Sequence, residues 1–194
     1  MENTENIVIE THPWEPFIPD GAKVLIMGTF PPGEHRWSMD FYYPNPTNDF
    51  WRIMSLIFMG DKDALYDASI KKFDLERVKS LAADNHIALN DTGRRIRRLK
   101  GNASDKFLEI IQPVDLNQLL TKMPECRDVA TTGEKAAEVV ASLTDTSIPK
   151  MGEFALSAEG LRLWRMPSTS RAYPMKLEKK AEYYRKLFEE AGII

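Results

Sequence analysis

The 194 residues contain a single cysteine, Cys126, and three histidines, His12, His35 and His86. One cysteine excludes an intramolecular disulfide, a CxxC redox pair and a Cys₄ zinc or iron–sulfur site. The histidines stand at neither HxxxH nor HExxH spacing, which argues against a zinc hydrolase. The sequence also lacks GxGxxG and any GK[ST] ending, so dinucleotide-binding and P-loop readings fail. Charges break every apolar run well short of the ~18 residues that a membrane span needs. The opening residues, MENTENIVIE, are acidic and polar and lack the basic-then-apolar order of a signal peptide. A cytoplasmic protein without a membrane segment is expected. Nor is there an excess of one charge: 26 Lys and Arg face 29 Asp and Glu, a net of −3. No overall field draws the chain to a polyanion, so any such site has to be a local patch.

What is present fits one soluble globular domain spanning 1–194. The length falls in the range of roughly 100–200 residues for a domain. With 43% hydrophobic and 28% charged residues, the chain can build a core and is neither disordered nor fibrous. Four short apolar runs read as buried strands, at 23–30 (KVLIMGTF), 86–90 (HIALN), 128–132 (DVATT) and 161–166 (LRLWRM). Cys126, in KMPECRDV, reads either as a residue buried before the third of these or as a nucleophile. Helical periodicity marks 48–58, 74–83, 104–111, 134–142 and 176–191, the last stopping at Ala191-Gly192. Strands alternating with helices predict an α/β protein, a sandwich around a mainly parallel sheet.

In such sheets the ligand crevice lies beyond the carboxyl ends of the strands. The residues expected there are Gly28-Thr29-Phe30-Pro31-Pro32, Asn90-Asp91-Thr92, Thr132-Gly133-Glu134 and Pro167-Ser168-Thr169-Ser170. Gly28 permits a tight turn and the prolines stiffen it, which suits a wall for a flat ligand or a plain strand-ending turn. The stretch 41–51, FYYPNPTNDFW, is the densest in aromatic residues, and rings there can stack on a nucleobase. Asn48 falls beside a helix start, where it either caps the helix or orients a water. Phe50 and Trp51 read as core before they read as ligand-binding rings. Arg94, Arg95, Arg97, Arg98 and Lys100 put five positive charges in seven residues, as a phosphate-contacting patch or a solvated helix face. Ser168, Thr169 and Ser170 can bind phosphate through hydroxyls and backbone N–H groups, with Arg171 and Tyr173 projecting from the same loop.

Three blocks in this order, KVLIMGTFPP, FYYPNPTNDFWRI and LWRMPSTSRAYP, resemble the uracil-DNA glycosylase superfamily, and its hypoxanthine-DNA glycosylase branch most. They span 23–173, with IALNDTG between. The resemblance implies a three-layer α/β/α sandwich with a central four-stranded mainly parallel sheet and the site at the strand ends. It implies hydrolysis of the N-glycosidic bond of a deaminated base in DNA, hypoxanthine or uracil, without metal or cofactor. The better-known branches carry Asp or Asn at the third position of the first loop, where this chain has Phe30. They often place His or Asn before the second loop, where it has Met166. The hypoxanthine branch shares the Phe and the PSTS-type loop and uses an Asn at the place of Asn48.

On that basis Asn48 and Asp91 are the expected catalytic residues, with Asn48 orienting the water. Asn90 or Asp91 would read the base edge, and Phe30, Tyr43 and Phe50 would stack on the base. Gly28, Thr29, Pro31, Ser168, Thr169 and Ser170 form the two loops. Arg94, Arg95, Arg97, Arg98, Arg171 and Tyr173 contact the DNA, and the protein acts as a monomer. A non-catalytic DNA- or nucleotide-binding protein on the same fold is the competing expectation, with a nucleoside hydrolase third.

Overall fold

The computed structural model describes residues 8–100 and 105–194. Its ten strands are β1 (Ile9–Thr11), β2 (Val24–Gly28), β3 (Tyr66–Asp67), β4 (Lys72–Phe73), β5 (Ile87–Asp91), β6 (Gly93–Arg98), β7 (Leu108–Pro113), β8 (Asp128–Thr132), β9 (Phe154–Leu156) and β10 (Arg162–Met166). Five helices, α1 (Phe50–Met59), α2 (Leu75–Asp84), α3 (Leu116–Thr121), α4 (Glu134–Thr144) and α5 (Leu177–Glu190), lie between them.

The central sheet has the order β5-β2-β8-β10-β9. Its first four strands are mutually parallel, and β9 adds an antiparallel edge. Every residue of β2, β5 and β8 is buried, because both faces of the sheet are covered. Alternation divides them. Val24, Ile26, Ile87 and Leu89 pack with Trp51 and Met54 of α1, Val78 of α2 and Tyr184 of α5. Leu25, Met27, Ala88 and Val129 pack on the other side with Leu116 and Leu119 of α3 and Val140 of α4. This is the α/β/α sandwich expected from the sequence, with one edge strand more than four.

Two local readings are corrected. Helical periodicity at 104–111 gives way to a 3₁₀ turn, Asp105–Phe107, followed by β7; Ser104 lies outside the described residues. An apolar pair such as Ile110-Ile111 fits either period, and pairing with β6 decides it: Ile96 faces Ile110 and Arg97 faces Glu109. The arginine run is correspondingly a strand, β6, in a three-stranded antiparallel sheet β1-β6-β7, and not a helix face. Its side chains therefore go to two sides. Helix α3 escaped the sequence reading although Asp115 caps it, accepting from the Gln118 N–H at 2.9 Å. Among the described residues no helix is long and apolar enough to cross a membrane.

Candidate active site

Four parallel strands end on one side of the sheet, at Gly28, Asp91, Thr132 and Met166. Beyond those ends opens a cavity of about 610 Å³. Residues Gly28, Thr29, Phe30, Pro31 and Pro32 line one part of it, and Ser168, Thr169 and Ser170 another. Tyr43, Asn48, Asp91 and Thr132 complete the interior, with Tyr173, Arg36 and Lys106 also lining it. Two residues expected to contact the base are elsewhere. Asn90 points away from the cleft, as strand alternation requires of a neighbour of Asp91, and its Oδ1 accepts from the Tyr42 hydroxyl at 3.1 Å. Phe50 is 1% exposed and lies under Tyr43, its ring 3.8 Å away at 15°.

The cleft is braced by backbone strain and close packing. Tyr43 has φ of +53°, a left-handed conformation uncommon for an aromatic residue. The stack on Phe50 and the contact of its Oη with Thr132 Oγ1 at 3.2 Å hold it there. Gly28 leaves no room for a side chain: a Cβ would stand 2.8 Å from Asp91 Oδ1, 3.3 Å from Tyr43 Oη and 3.4 Å from Thr132 Oγ1. The backbone N–H of Asn48 donates to Asn45 O at 2.9 Å, and its Oδ1 accepts from the Phe50 N–H at 2.9 Å. Asn48 thus both satisfies a donor in the first turn of α1 and lines the cleft.

The second loop is fastened to that same helix entry. Asn48 bridges Ser170, and the Asp49 N–H donates to Thr169 O at 2.9 Å. The Asp49 carboxylate accepts from Arg171 Nε at 2.9 Å and lies 3.5 Å from Lys180 Nζ, which also donates to Ser170 O at 2.8 Å. Lys180 is fully buried, and these partners take up its donors there.

Asp91 is 7% exposed, and its Oδ2 accepts from His12 Nε2 at 2.8 Å. His12 was legible in the sequence only as a lone histidine with no metal spacing, since its partner lies 79 residues away. Burial first, and then the Asp91 charge, push the Tyr42 phenol far up; it stays protonated and donates to Asn90 Oδ1 and Glu15 O. Burial also raises the Cys126 thiol to about 11, and Cys126 packs beneath the sheet away from the cleft, so it is not a nucleophile for that cleft.

The arginines are dispersed. Arg94 donates to Glu15 at 3.2 Å and Arg97 to Glu109 at 3.2 Å. Arg98 donates to Glu10 at 2.7 Å and to Pro31 O at 2.7 Å, so it supports the first loop. Arg95 is exposed. The basic residues that reach the cleft, Arg36 and Lys106, were not singled out in the sequence, because neither stands in a charge run. Among the described residues no three His, Cys, Asp or Glu side chains gather as a metal site.

No family model and no curated protein matches the sequence. Among solved structures, the chain is similar to the solution NMR structure of a "putative Uracil DNA glycosylase" from Methanosarcina acetivorans. The TM-score is 0.66 at 21% sequence identity, over 94% of this chain and 99% of that one. Across nearly its whole length, then, the chain has the uracil-DNA glycosylase-like fold that its three sequence blocks resemble.

Proposed function

We propose that the protein is a DNA base-excision glycosylase, a single-domain, monofunctional enzyme that hydrolyses the N-glycosidic bond of a deaminated base, hypoxanthine or uracil. One observation carries this reading: loops 28–32 and 168–170 share a single cleft at the carboxyl ends of the parallel strands, with Asn48 lining it. Its volume lies within the roughly 300–1,000 Å³ of small-ligand sites, enough for an extruded nucleoside. A base leaves the stack at a cost of a few kcal/mol and regains contact in such a pocket. Phe30 and Tyr43 offer flat faces, and Tyr43 cannot yield because Phe50 lies behind it.

The C1′–N bond then breaks through a sugar-cation transition state. Asn48 is too weakly basic to abstract a proton, but its carboxamide has a second acceptor lone pair and two N–H donors with which to orient a water. The hydroxyls of Thr132 and Ser168 are donors for the departing base anion. For the DNA backbone, Arg95, Tyr173, Arg36 and Lys106 are the proposed contacts. Arg94, Arg97, Arg98 and Arg171 each already hold a carboxylate, so they would have to exchange it for a phosphate.

The competing reading, a DNA- or nucleotide-binding protein without activity, is favoured by loop 28–32 bringing no carboxylate to the cleft. Incubation with oligonucleotides holding one deoxyuridine or one deoxyinosine, followed by alkali, separates the two. Strand breaks at the modified position are expected. Binding without breaks supports the inactive reading, and neither binding nor breaks defeats both.

A further inference from the structure

A second concavity, of about 380 Å³, adjoins the base cleft and has no part in the reaction as described above. The two meet at Arg36 and Asn45, which line both. Its other walls are the stretch 35–38, the stretch 46–47 and, from the β3–β4 hairpin, Lys71 and Lys72. No carboxylate lines it, although Asp and Glu outnumber Lys and Arg in the chain by 29 to 26. Arg36, Lys71 and Lys72 are exposed, and none of the three makes an ion pair among the described residues. A concave site that gathers cations and no anion in an acidic protein is a local field for a negatively charged ligand.

The walls are tied to one another. Arg52 of α1 is only 7% exposed; its Nη1 donates to Pro46 O at 2.6 Å and its Nε to Asp63 Oδ1 at 3.3 Å. Its guanidinium lies over the Tyr66 ring at 4.3 Å and 5.3 Å from the centre of the Phe73 ring, the cross-strand pair of the hairpin. One buried cation therefore fixes the hairpin against the stretch 46–47, and the two lysines stand on a firm support. Lys71, at the turn, has φ of +55°, a left-handed conformation uncommon outside glycine. Asp67 faces Lys72 in the register, but its Oδ1 accepts from both the N–H and the hydroxyl of Ser69 and closes the turn. On the far wall, Trp37 Nε1 donates to Pro32 O at 2.7 Å, which fastens the concavity to the first loop of the base cleft. At the border, Asn45 Oδ1 accepts from the Thr47 N–H at 3.0 Å and the Thr47 hydroxyl at 2.8 Å, so its carboxamide offers donors.

We propose that this concavity is an outer subsite for a DNA strand, in which Lys71 and Lys72 hold a phosphodiester beyond the nucleotide extruded into the base cleft. The inference rests on the glycosylase reading for the occupant of that cleft and adds the course of the strand outside it. A phosphodiester suits the site because it carries a full negative charge and two unesterified oxygens, each an acceptor for ammonium donors. Continuity favours a strand over a separate anion. A chain anchored by its base in one pocket carries its flanking phosphates outward, and the border at Arg36 and Asn45 opens into the other. Ammonium groups bind a phosphate as point charges and read no base, so the subsite contributes affinity and register but no choice of lesion.

The test places a single uncharged methylphosphonate at each of the nearest phosphates on either side of the lesion. The oligonucleotides hold one deoxyuridine or one deoxyinosine, and binding is followed by fluorescence anisotropy. The wild-type protein is expected to lose about tenfold in affinity at one phosphate, or two adjacent ones, on a single side. Lys71→Gln with Lys72→Gln should lose as much on the unmodified strand, flatten the log–log salt slope by about 1, and show no further loss at that same position. Both lysines are exposed, so the melting temperature should not move. A wild-type loss spread evenly over all positions overturns the proposal, and that comparison needs no variant to fold. A double variant as sensitive as the wild type at every position overturns it too. So does binding of thymidine 5′-monophosphate that the double variant abolishes while no position in the strand is coupled, since the site would then belong to a free phosphomonoester. Alkali-dependent strand breaks report on the glycosylase reading separately. A coupled position without breaks supports the subsite and defeats that reading, whereas breaks without a coupled position do the reverse. Absence of both binding and breaks defeats both.

Discussion

Asn48 serves α1 and the cleft through one carboxamide, and the two roles separate by measurement. If it orients the hydrolytic water, Asn48→Ala lowers single-turnover base release by about 10²–10³, as loss of a transition-state-directed group does, while DNA affinity stays nearly constant. If it only caps, the loss is about 1 kcal/mol of stability and release is unchanged. Cleavage and melting measured on the same variant decide between them. Gly28 was legible in the sequence as a turn residue, but the structure gives it a different necessity: the missing Cβ is what lets Asp91 Oδ1, Tyr43 Oη and Thr132 Oγ1 approach one point. Gly28→Ala should preserve the fold, whose strand it merely ends, and reduce free-base binding and base release together; titration and single-turnover kinetics on the one variant check this. Phe50 and Asn90 show the limit of reading residues singly. Both stand in the right blocks, yet packing sends Phe50 beneath Tyr43 and strand alternation turns Asn90 to Tyr42.

At the level of elements, the entry to α1 and the loop after β10 form one unit, joined by Asp49, Lys180 and Arg171. Lys180 is fully buried, and it would be left as a buried charge without its carboxylate if Asp49 were removed. Asp49→Ala should therefore destabilise by about 3–5 kcal/mol, the usual penalty for breaking a buried pair from one side. Asp49→Asn combined with Lys180→Met removes the charge as well and should recover most of that loss in denaturant unfolding. A double variant no more stable than Asp49→Ala would show that the ion pair does not set the cost. The sequence carried no sign of this link, because Asp49 and Lys180 are 131 positions apart. The arginine run makes the same point. As β6 it alternates sides, and three of its four arginines find Glu15, Glu109 and Glu10, partners that only the pairing of β1, β6 and β7 brings near.

Over the whole molecule, a net charge of −3 means that the proposed DNA affinity would have to come from few, local contacts. Binding should weaken with salt, and Arg36→Gln with Arg95→Gln should flatten the log–log slope by about 2 while leaving lesion preference unchanged. An unaltered slope would move the backbone track to the carboxylate-held arginines. By itself the sequence determined the layer architecture and the end of the sheet at which the cleft opens. Buried parallel strands read as apolar runs, each followed directly by its polar loop, and both signals are local in the chain. Only the tertiary structure decided which residues meet in the cleft. Asp91 needs His12, Tyr43 needs Phe50 and Thr132, and Asp49 needs Lys180, and each of these choices depends on alternation and packing between distant segments. Periodicity within one segment records which face is buried, not what lies against it.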